Sequence, residues 1–332
     1  MKAFVLAGGF ATRLWPLTEH RAKPLLPLAG KPIITHLVEK IPEDISVTVS
    51  TNAVFGEQFG RWALGVGRRD LKVLIEDTTH DDHKLGALGA AAQWIEREKI
   101  DDDVLLLTGD NYLGFSMDAF LGAYTNGTPL IAAYDIEDRE KARHFGVVVV
   151  DGKRIKQFQE KPHEPASTLV STGCSILPRH TLPILLEFAS GHPDNVGGIF
   201  EEFLRRNISV ECFIFSEPWL DIGSFASYME AHRLIVADRK LIDRSAQCDR
   251  STLHGGIVIG PESTVLGSEL TNTMIFGHCR ITDCILRECI VDEGCVIEGI
   301  DLTGKMLRGG STLRASEKCP PAGQAGKVES GK

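Results

Sequence analysis

The chain has 332 residues, 43% of them hydrophobic and 24% charged, with a formal net charge of −9. That length suits one large domain plus a smaller one, and the acidic balance argues against a general nucleic-acid binder. No stretch approaches the ~18–20 apolar residues of a membrane span, and the apolar start ends at Gly8-Gly9, too soon for a secretory signal. A cytoplasmic protein is the expectation. Its eight cysteines, none in a C-x-x-C pair, are not expected to form a disulfide framework.

In chain order, Ala3–Ala7 reads as a buried strand that ends in glycines. Lys31-Pro32 opens a helical pattern through Ile33, Leu37, Val38 and Ile41. Val47–Val49 reads as a second strand, Phe55–Leu64 as a helix and Leu71–Ile75 as a third strand. Leu85–Ile100 carries Leu85, Leu88, Ala92 and Ile95 on one helical face, and Val104–Leu107 is a fourth strand. This alternation predicts an α/β fold with a doubly wound, mostly parallel Rossmann-like sheet, its ligands beyond the carboxyl ends of the strands.

From Leu130 the strands become more frequent: Leu130–Tyr134, Val147–Val150 and Arg154–Gln159, with Asp151-Gly152 as a hairpin turn between the last two. Helices are expected over Leu182–Ala189, Ile199–Arg206 and Phe225–Asp238, and a strand over Val210–Phe215. The first domain is therefore placed at 1–240. At about Ser245 helical periodicity gives way to aliphatic residues every five or six positions, with glycines between them. That hexad pattern predicts a short left-handed parallel β-helix of about three coils over 245–313. A small β-sandwich, the alternative, would show period-two alternation and fewer glycines. The tail 314–332, rich in Pro, Gly, Ser and Lys, is expected to be disordered.

Charge is uneven. Met1–Lys40 contains six basic residues and two acidic ones, which points to a local anion site or simply a solvated basic face. Leu6-Ala7-Gly8-Gly9 leaves the first strand, with Thr12-Arg13 just after it and Lys23-Pro24 ten residues beyond Arg13. Glycines let backbone N–H groups approach phosphate oxygens, and Arg13 and Lys23 could hold a triphosphate there. A glycine turn alone is often only a tight connection. Neither a P-loop motif nor a dinucleotide fingerprint is present.

The run AGGFATRLWPLTEHRAKPLLPLAGKP resembles the signature of the NDP-sugar pyrophosphorylases, the sugar-1-phosphate nucleotidyltransferases, including glucose-1-phosphate thymidylyltransferase-like and mannose-1-phosphate guanylyltransferase-like members. Ala11 departs from the glycine usual in that motif. The resemblance implies condensation of an NTP with a sugar 1-phosphate, both small-molecule substrates, with glucose (dTTP or UTP) and mannose (GTP) as leading pairs. It implies catalytic roles for Arg13 and Lys23, and nucleotide binding by Leu6, Ala7, Gly8, Gly9, Thr12, Arg13, Lys23 and Gly86. Gly86 lies in Lys84–Ala90, which is similar to the family's base-lining loop but lacks a glutamine for reading a pyrimidine.

Thr108-Gly109-Asp110-Asn111 and Trp219-Leu220-Asp221-Ile222-Gly223 resemble the two motifs whose aspartates bind Mg²⁺, a cation that takes few protein ligands. Alone, Asp110 reads equally as a loop cap. Gln159-Glu160-Lys161-Pro162, Phe145-Gly146-Val147 and Ser171-Thr172-Gly173-Cys174 resemble the sugar-phosphate motifs, which implies roles for Gly146, Glu160, Lys161, Ser171 and Gly173. Ser171 replaces the usual asparagine. A surface ion pair is the plainer reading of Glu160-Lys161.

Other features read as structural. His80-Asp81-Asp82-His83 is expected to be a solvated loop and helix cap, and Cys279, Cys284, Cys289 and Cys295 are expected to fill coil positions rather than bind zinc. A silent, nucleotide-sugar-sensing regulatory paralogue is the alternative function, but it would be expected to have lost one of Arg13, Lys23, Asp110, Lys161 or Asp221. An acyltransferase role for the β-helix has three coils, short for that task, and His278 as its best candidate base. The expected role of that region is structural, with self-association into a homo-oligomer; neither nucleic acid nor membrane is an expected partner.

Overall fold

The computed structural model describes residues 1–9, 12–77, 85–125 and 127–315, with the side chain of Thr12 excepted. The departure at Ala11, the His80–His83 cluster, Lys84 and the tail from 316 lie outside the described residues. Two compact units result, the first running from Met1 to Ile235 and the second starting at Val236. No helix among the described residues is long and apolar enough to cross a membrane.

In the first unit, β1 (Lys2–Leu6) leads to a small ribbon of β2 (Pro27–Leu28) and β3 (Lys31–Pro32), then to α1 (Ile33–Val38), β4 (Ser46–Asn52), α2 (Gly56–Val66), β5 (Leu71–Glu76), α3 (Ala87–Arg97) and β6 (Val104–Thr108). After these come β7 (Asn111–Leu113), α4 (Met117–Ala123), β8 (Leu130–Asp135), α5 (Arg139–Ala142), β9 (Gly146–Asp151), β10 (Arg154–Glu160) and β11 (Leu169–Leu177). The unit ends with α6 (Leu182–Gly191), α7 (Gly198–Arg205), β12 (Glu211–Phe215), β13 (Trp219–Asp221) and α8 (Phe225–Val236).

Nine strands form one sheet in the order β5-β4-β1-β6-β11-β8-β12-β10-β9. The β5–β4, β4–β1, β1–β6 and β8–β12 pairs are parallel; β11 opposes β6 and β8, and β10 opposes β12 and β9. Seven strands thus share one direction. The predicted strands β1, β4, β5, β6, β8, β9, β10 and β12 are all in the sheet, and Gly152, at φ +60, makes the predicted hairpin turn. Alternation along β1 explains the two layers of helices. Ala3 and Val5 enter a core with Ile34, Leu37 and Phe59 on one face. Phe4 enters another with Leu88, Trp94 and Phe200, stacking on Trp94 at 4.6 Å.

Three local differences from the sequence expectations have clear causes. Lys31-Pro32 pairs with Pro27-Leu28 instead of opening the helix, which starts at Ile33 with Pro32 as its extended cap. The helix expected from Leu85 starts at Ala87, because Gly86 has φ +75. Strand β11 was not foreseen: its alternation breaks where the register slips between Ser171 and Ser175, and Gly173 takes φ +73 inside that irregularity.

The second unit is a stack of parallel strands on three faces. Leu253, Leu270, Leu286 and Leu302 form one register column, Cys248, Val265, Ile281, Ile297 and Leu313 a second, and Ile259, Ile275, Val291 and Leu307 a third. Most of these residues, with Cys279, Cys284, Cys289 and Cys295, compose its apolar core. The stack begins at Lys240–Ile242, which pairs with Ile257–Ile259, so it is longer than the three coils expected and starts before residue 245. At its other end Thr312–Arg314 is still a strand, so Arg314 belongs to the stack rather than to the tail.

The glycine spacing has a backbone cause. Corners repeat the left-handed conformation in columns, with Glu262, His278, Gly294 and Gly310 in one and Gly255, Asn272, Glu288 and Gly304 in another. His278 is therefore a turn residue, half exposed, with Glu262 and Glu293 at 3.4 and 3.7 Å. The four core thiols donate to carbonyls thirteen residues ahead, as Cys279 does to Asp292 O at 3.1 Å and Cys295 to Arg308 O at 3.1 Å. All seven described cysteines are free.

Candidate active site

Parallel strands β1 and β6 end level with each other, Leu6 beside Thr108, and the Gly109 N–H donates to Leu6 O at 2.8 Å. Gly8-Gly9 and Asp110 thus emerge together at the carboxyl edge of the sheet, where a doubly wound fold places its ligands. The turn is held from behind. Asn52 Nδ2 donates to Gly8 O at 2.9 Å, and a Cβ on Gly8 would stand 3.0 Å from Glu76 Oε1.

The second aspartate comes from 111 residues away through a separate two-stranded ribbon, in which β13 pairs antiparallel with β7 and Asp221 lies opposite Asn111. Asn111 ties this ribbon together. Its Oδ1 accepts from the buried Trp219 Nε1 at 2.9 Å, while its Nδ2 donates to Asp110 Oδ1 at 2.9 Å and to Thr108 Oγ1 at 2.8 Å.

Lys23 sits on a short 3₁₀ turn, Lys23–Leu25, and is only 7% exposed. Its Nζ lies 2.7 Å from Asp110 Oδ2 and 3.4 Å from Asp221 Oδ1. Burial pushes the Asp221 carboxyl above its ordinary pKa; Lys23 and Arg13 pull it back, and Asp110 pushes it further up. Arg13 is at this edge too: a Cβ on Gly223 would be 3.7 Å from Asp221 Oδ1 and 3.9 Å from Arg13 Nη2.

This donor set fits a divalent cation. The Lys23 ammonium already places positive charge between two carboxylates, and two oxygen ligands are what Mg²⁺ typically takes from protein when phosphates and waters supply the rest. Among the described residues no group of three or more His, Cys, Asp or Glu side chains could hold a metal by itself.

Next to this cluster lies a cavity of about 160 Å³ whose walls include Leu6, Thr108, Gly146, Glu160, Lys161, Ser171 and Gly173. The five expected sugar-phosphate residues are therefore brought to one place. Gly173 is required there, because a Cβ would meet Thr108 Oγ1 at 2.3 Å. Burial raises the Glu160 pKa, opposed by Lys161, whose Nζ is 3.6 Å away.

Gly86 stands at the amino end of α3, where a Cβ would meet Pro193 O at 2.4 Å. Pro193 O accepts from the N–H groups of Leu88 and Gly89 at 2.8 and 3.0 Å.

Two site residues escape a reading of sequence. Glu76 ends β5, is 6% exposed and accepts from Ser50 Oγ at 2.7 Å; burial raises its pKa. Gly197 packs so closely on Glu160 that a Cβ would fall 1.8 Å from Glu160 Oε2. A glutamate at a strand end and a glycine pair before a helix carry no local signal of these long-range neighbours.

Residues 2–238 match the family model described as nucleotidyl transferase. A protein of Sulfolobus acidocaldarius, provisionally named mannose-1-phosphate guanyltransferase, is 26% identical over 83% of this chain and 76% of its own length. The glucose-1-phosphate thymidylyltransferase of Streptomyces antibioticus is 24% identical over 83% of this chain and 78% of its own. A crystal structure from Bacillus anthracis, named for a thymidylyltransferase of the same kind, shares the fold with a TM-score of 0.61 at 24% identity, covering 70% of this chain and 94% of that one. With a family match across more than two thirds of its length and a cation–carboxylate cluster at the sheet edge, the chain belongs to the nucleotidyl transferase family.

Proposed function

We propose that the chain condenses a nucleoside triphosphate with a sugar 1-phosphate, forming an NDP-sugar and releasing pyrophosphate. The observation that carries this reading is Lys23 between Asp110 and Asp221, beside the Gly8-Gly9 turn and next to a cavity walled by Glu160 and Lys161. Two polyanions repel each other, so a site that joins them must supply positive charge to both.

In this mechanism an oxygen of the sugar phosphate attacks the α-phosphorus in line, and pyrophosphate departs without a covalent enzyme intermediate. Positioning and electrostatics then supply the rate. Lys161 holds the attacking phosphate and Glu160 accepts from sugar hydroxyls. Arg13 and Lys23 stabilise the α-phosphate and the leaving group, while backbone N–H groups of the glycine turn face the triphosphate. Asp110 and Asp221 would hold Mg²⁺, which when bound supplies neutralisation of phosphate charge. The Trp219–Asn111 pair keeps Asp110 oriented.

The names of the relatives make mannose 1-phosphate with GTP and glucose 1-phosphate with dTTP the first pairs to test, with UTP next on the family resemblance. The assay is pyrophosphate release with Mg²⁺, using five nucleotides against a panel of hexose 1-phosphates. Release that needs both substrates and the metal supports the reading. No release from any pair, by protein that binds nucleotide, refutes it.

A further inference from the structure

A second cavity, of about 270 Å³, is walled by Glu140, Arg143, His144, Lys161, Pro162 and His163. It shares His144 and Lys161 with the sugar cavity. Its cations are arranged rather than scattered. Arg143 Nη1 donates to Glu140 Oε2 at 2.9 Å, and Arg143 Nη2 donates to His163 Nδ1 at 3.3 Å. Because arginine only donates, His163 Nδ1 must accept, which leaves its Nε2 to carry the proton as a second donor.

The backbone is also constrained here. Lys161 has φ +46, a strained conformation for a residue with a side chain, held by its N–H donating to Phe145 O at 3.1 Å. Strain of this kind persists where the surroundings over-determine it, often at ligand sites.

We propose that Arg143 and His163, beside the Lys161 that holds the attacking phosphate, form a second anion subsite that receives a phosphate or carboxylate substituent on the sugar. The preferred acceptor would then be a sugar 1-phosphate bearing a second anionic group. This rests on the proposed function, since it takes the adjoining cavity as the sugar site. The subsite is not that of the reacting phosphate. That group must reach Asp110 and Lys23, and Leu6 and Thr108, which adjoin them, line the sugar cavity but not this one. Glu140 tempers the charge on Arg143, so its neutralisation should strengthen anion binding.

The test compares glucose 1-phosphate with glucose 1,6-bisphosphate and with glucose 1-phosphate plus inorganic phosphate, in wild type, Arg143→Gln, His163→Ala and Glu140→Gln, each first checked for a normal melting temperature. A lost charge-assisted phosphate contact corresponds to about a 10–100-fold change. Arg143→Gln is expected to raise KM for the bisphosphate by that factor, leaving KM for the monophosphate within about 2-fold; Glu140→Gln should lower the bisphosphate KM. An equal rise for both sugars would put Arg143 on the reacting phosphate and overturn the second subsite. Inorganic phosphate that competes with neither sugar yet binds in an Arg143-dependent way would overturn it as well, assigning the pocket to a free anion. If neither sugar turns over, calorimetric binding decides. Tighter, Arg143-dependent binding of the bisphosphate sustains the subsite although the proposed reaction has failed, and equal binding overturns it.

Discussion

Replacing Lys23 with methionine keeps an unbranched stem and removes the charge from between two carboxylates. The longer of its two contacts, 3.4 Å to Asp221, is worth ~5 kcal/mol at an effective dielectric constant of about 20, the value suited to protein sites. Water and counterions recover part of that, and losing one preorganised electrostatic contact typically costs about 10²–10³ in kcat. We expect Lys23→Met to lower kcat for pyrophosphate release by ~10²-fold or more. Stability should report the same change through pH. The Asp221 pKa is already raised by burial and restrained by Lys23, so without the ammonium it rises further. A carboxyl whose folded pKa lies above its unfolded value costs nothing while both states are protonated, and its cost develops as pH rises from the unfolded value to the folded one. The variant should therefore melt near wild type at pH 4 and well below it at pH 7. A kcat within 3-fold of wild type, or a melting difference that does not vary with pH, would refute the reasoning.

Three further outcomes follow from the same geometry. Glu76→Gln should raise the melting temperature at pH 7 more than at pH 4, because a buried carboxyl with a raised pKa costs stability progressively once pH passes its unfolded value; an equal effect at both values contradicts this. Gly197→Ala should raise KM for the sugar phosphate about 10-fold or more while sparing KM for the nucleotide, since the new methyl displaces Glu160; steady-state kinetics with each substrate varied in turn will show it. Asp110→Asn should cut turnover by ~10²-fold or more, and a calorimetric titration should show weakened Mg²⁺ binding as well.

Most of this architecture could be read from periodicity. The apolar strands β1, β4 and β6 announce themselves because each is buried on both faces, and Gly8-Gly9 marks where the first one ends. Strand β11 did not, because a small polar insert at Ser171–Gly173 interrupts its pattern, and that irregularity is what brings Gly173 against Thr108. The glycine columns of the second unit were legible as spacing, but their cause, left-handed corners that also accept His278 and Glu288, is a property of the backbone. Motif resemblance pointed to Asp110, Asp221 and Lys23 one by one. Their convergence on a single ammonium depends on the β7–β13 ribbon, whose strands lie more than 100 residues apart. Glu76 and the contact of Gly197 with Glu160 belong to the same class of long-range facts.

The central claim is that one cleft serves both polyanions and the divalent ion. It can be tested with Mn²⁺ in place of Mg²⁺, by measuring ³¹P relaxation of a bound non-hydrolysable nucleotide and a bound sugar 1-phosphate in the same complex. The account predicts strong paramagnetic relaxation of both sets of phosphorus signals, lost in Asp110→Asn and Asp221→Asn. A sugar phosphate that binds yet relaxes as it does without the metal would contradict it.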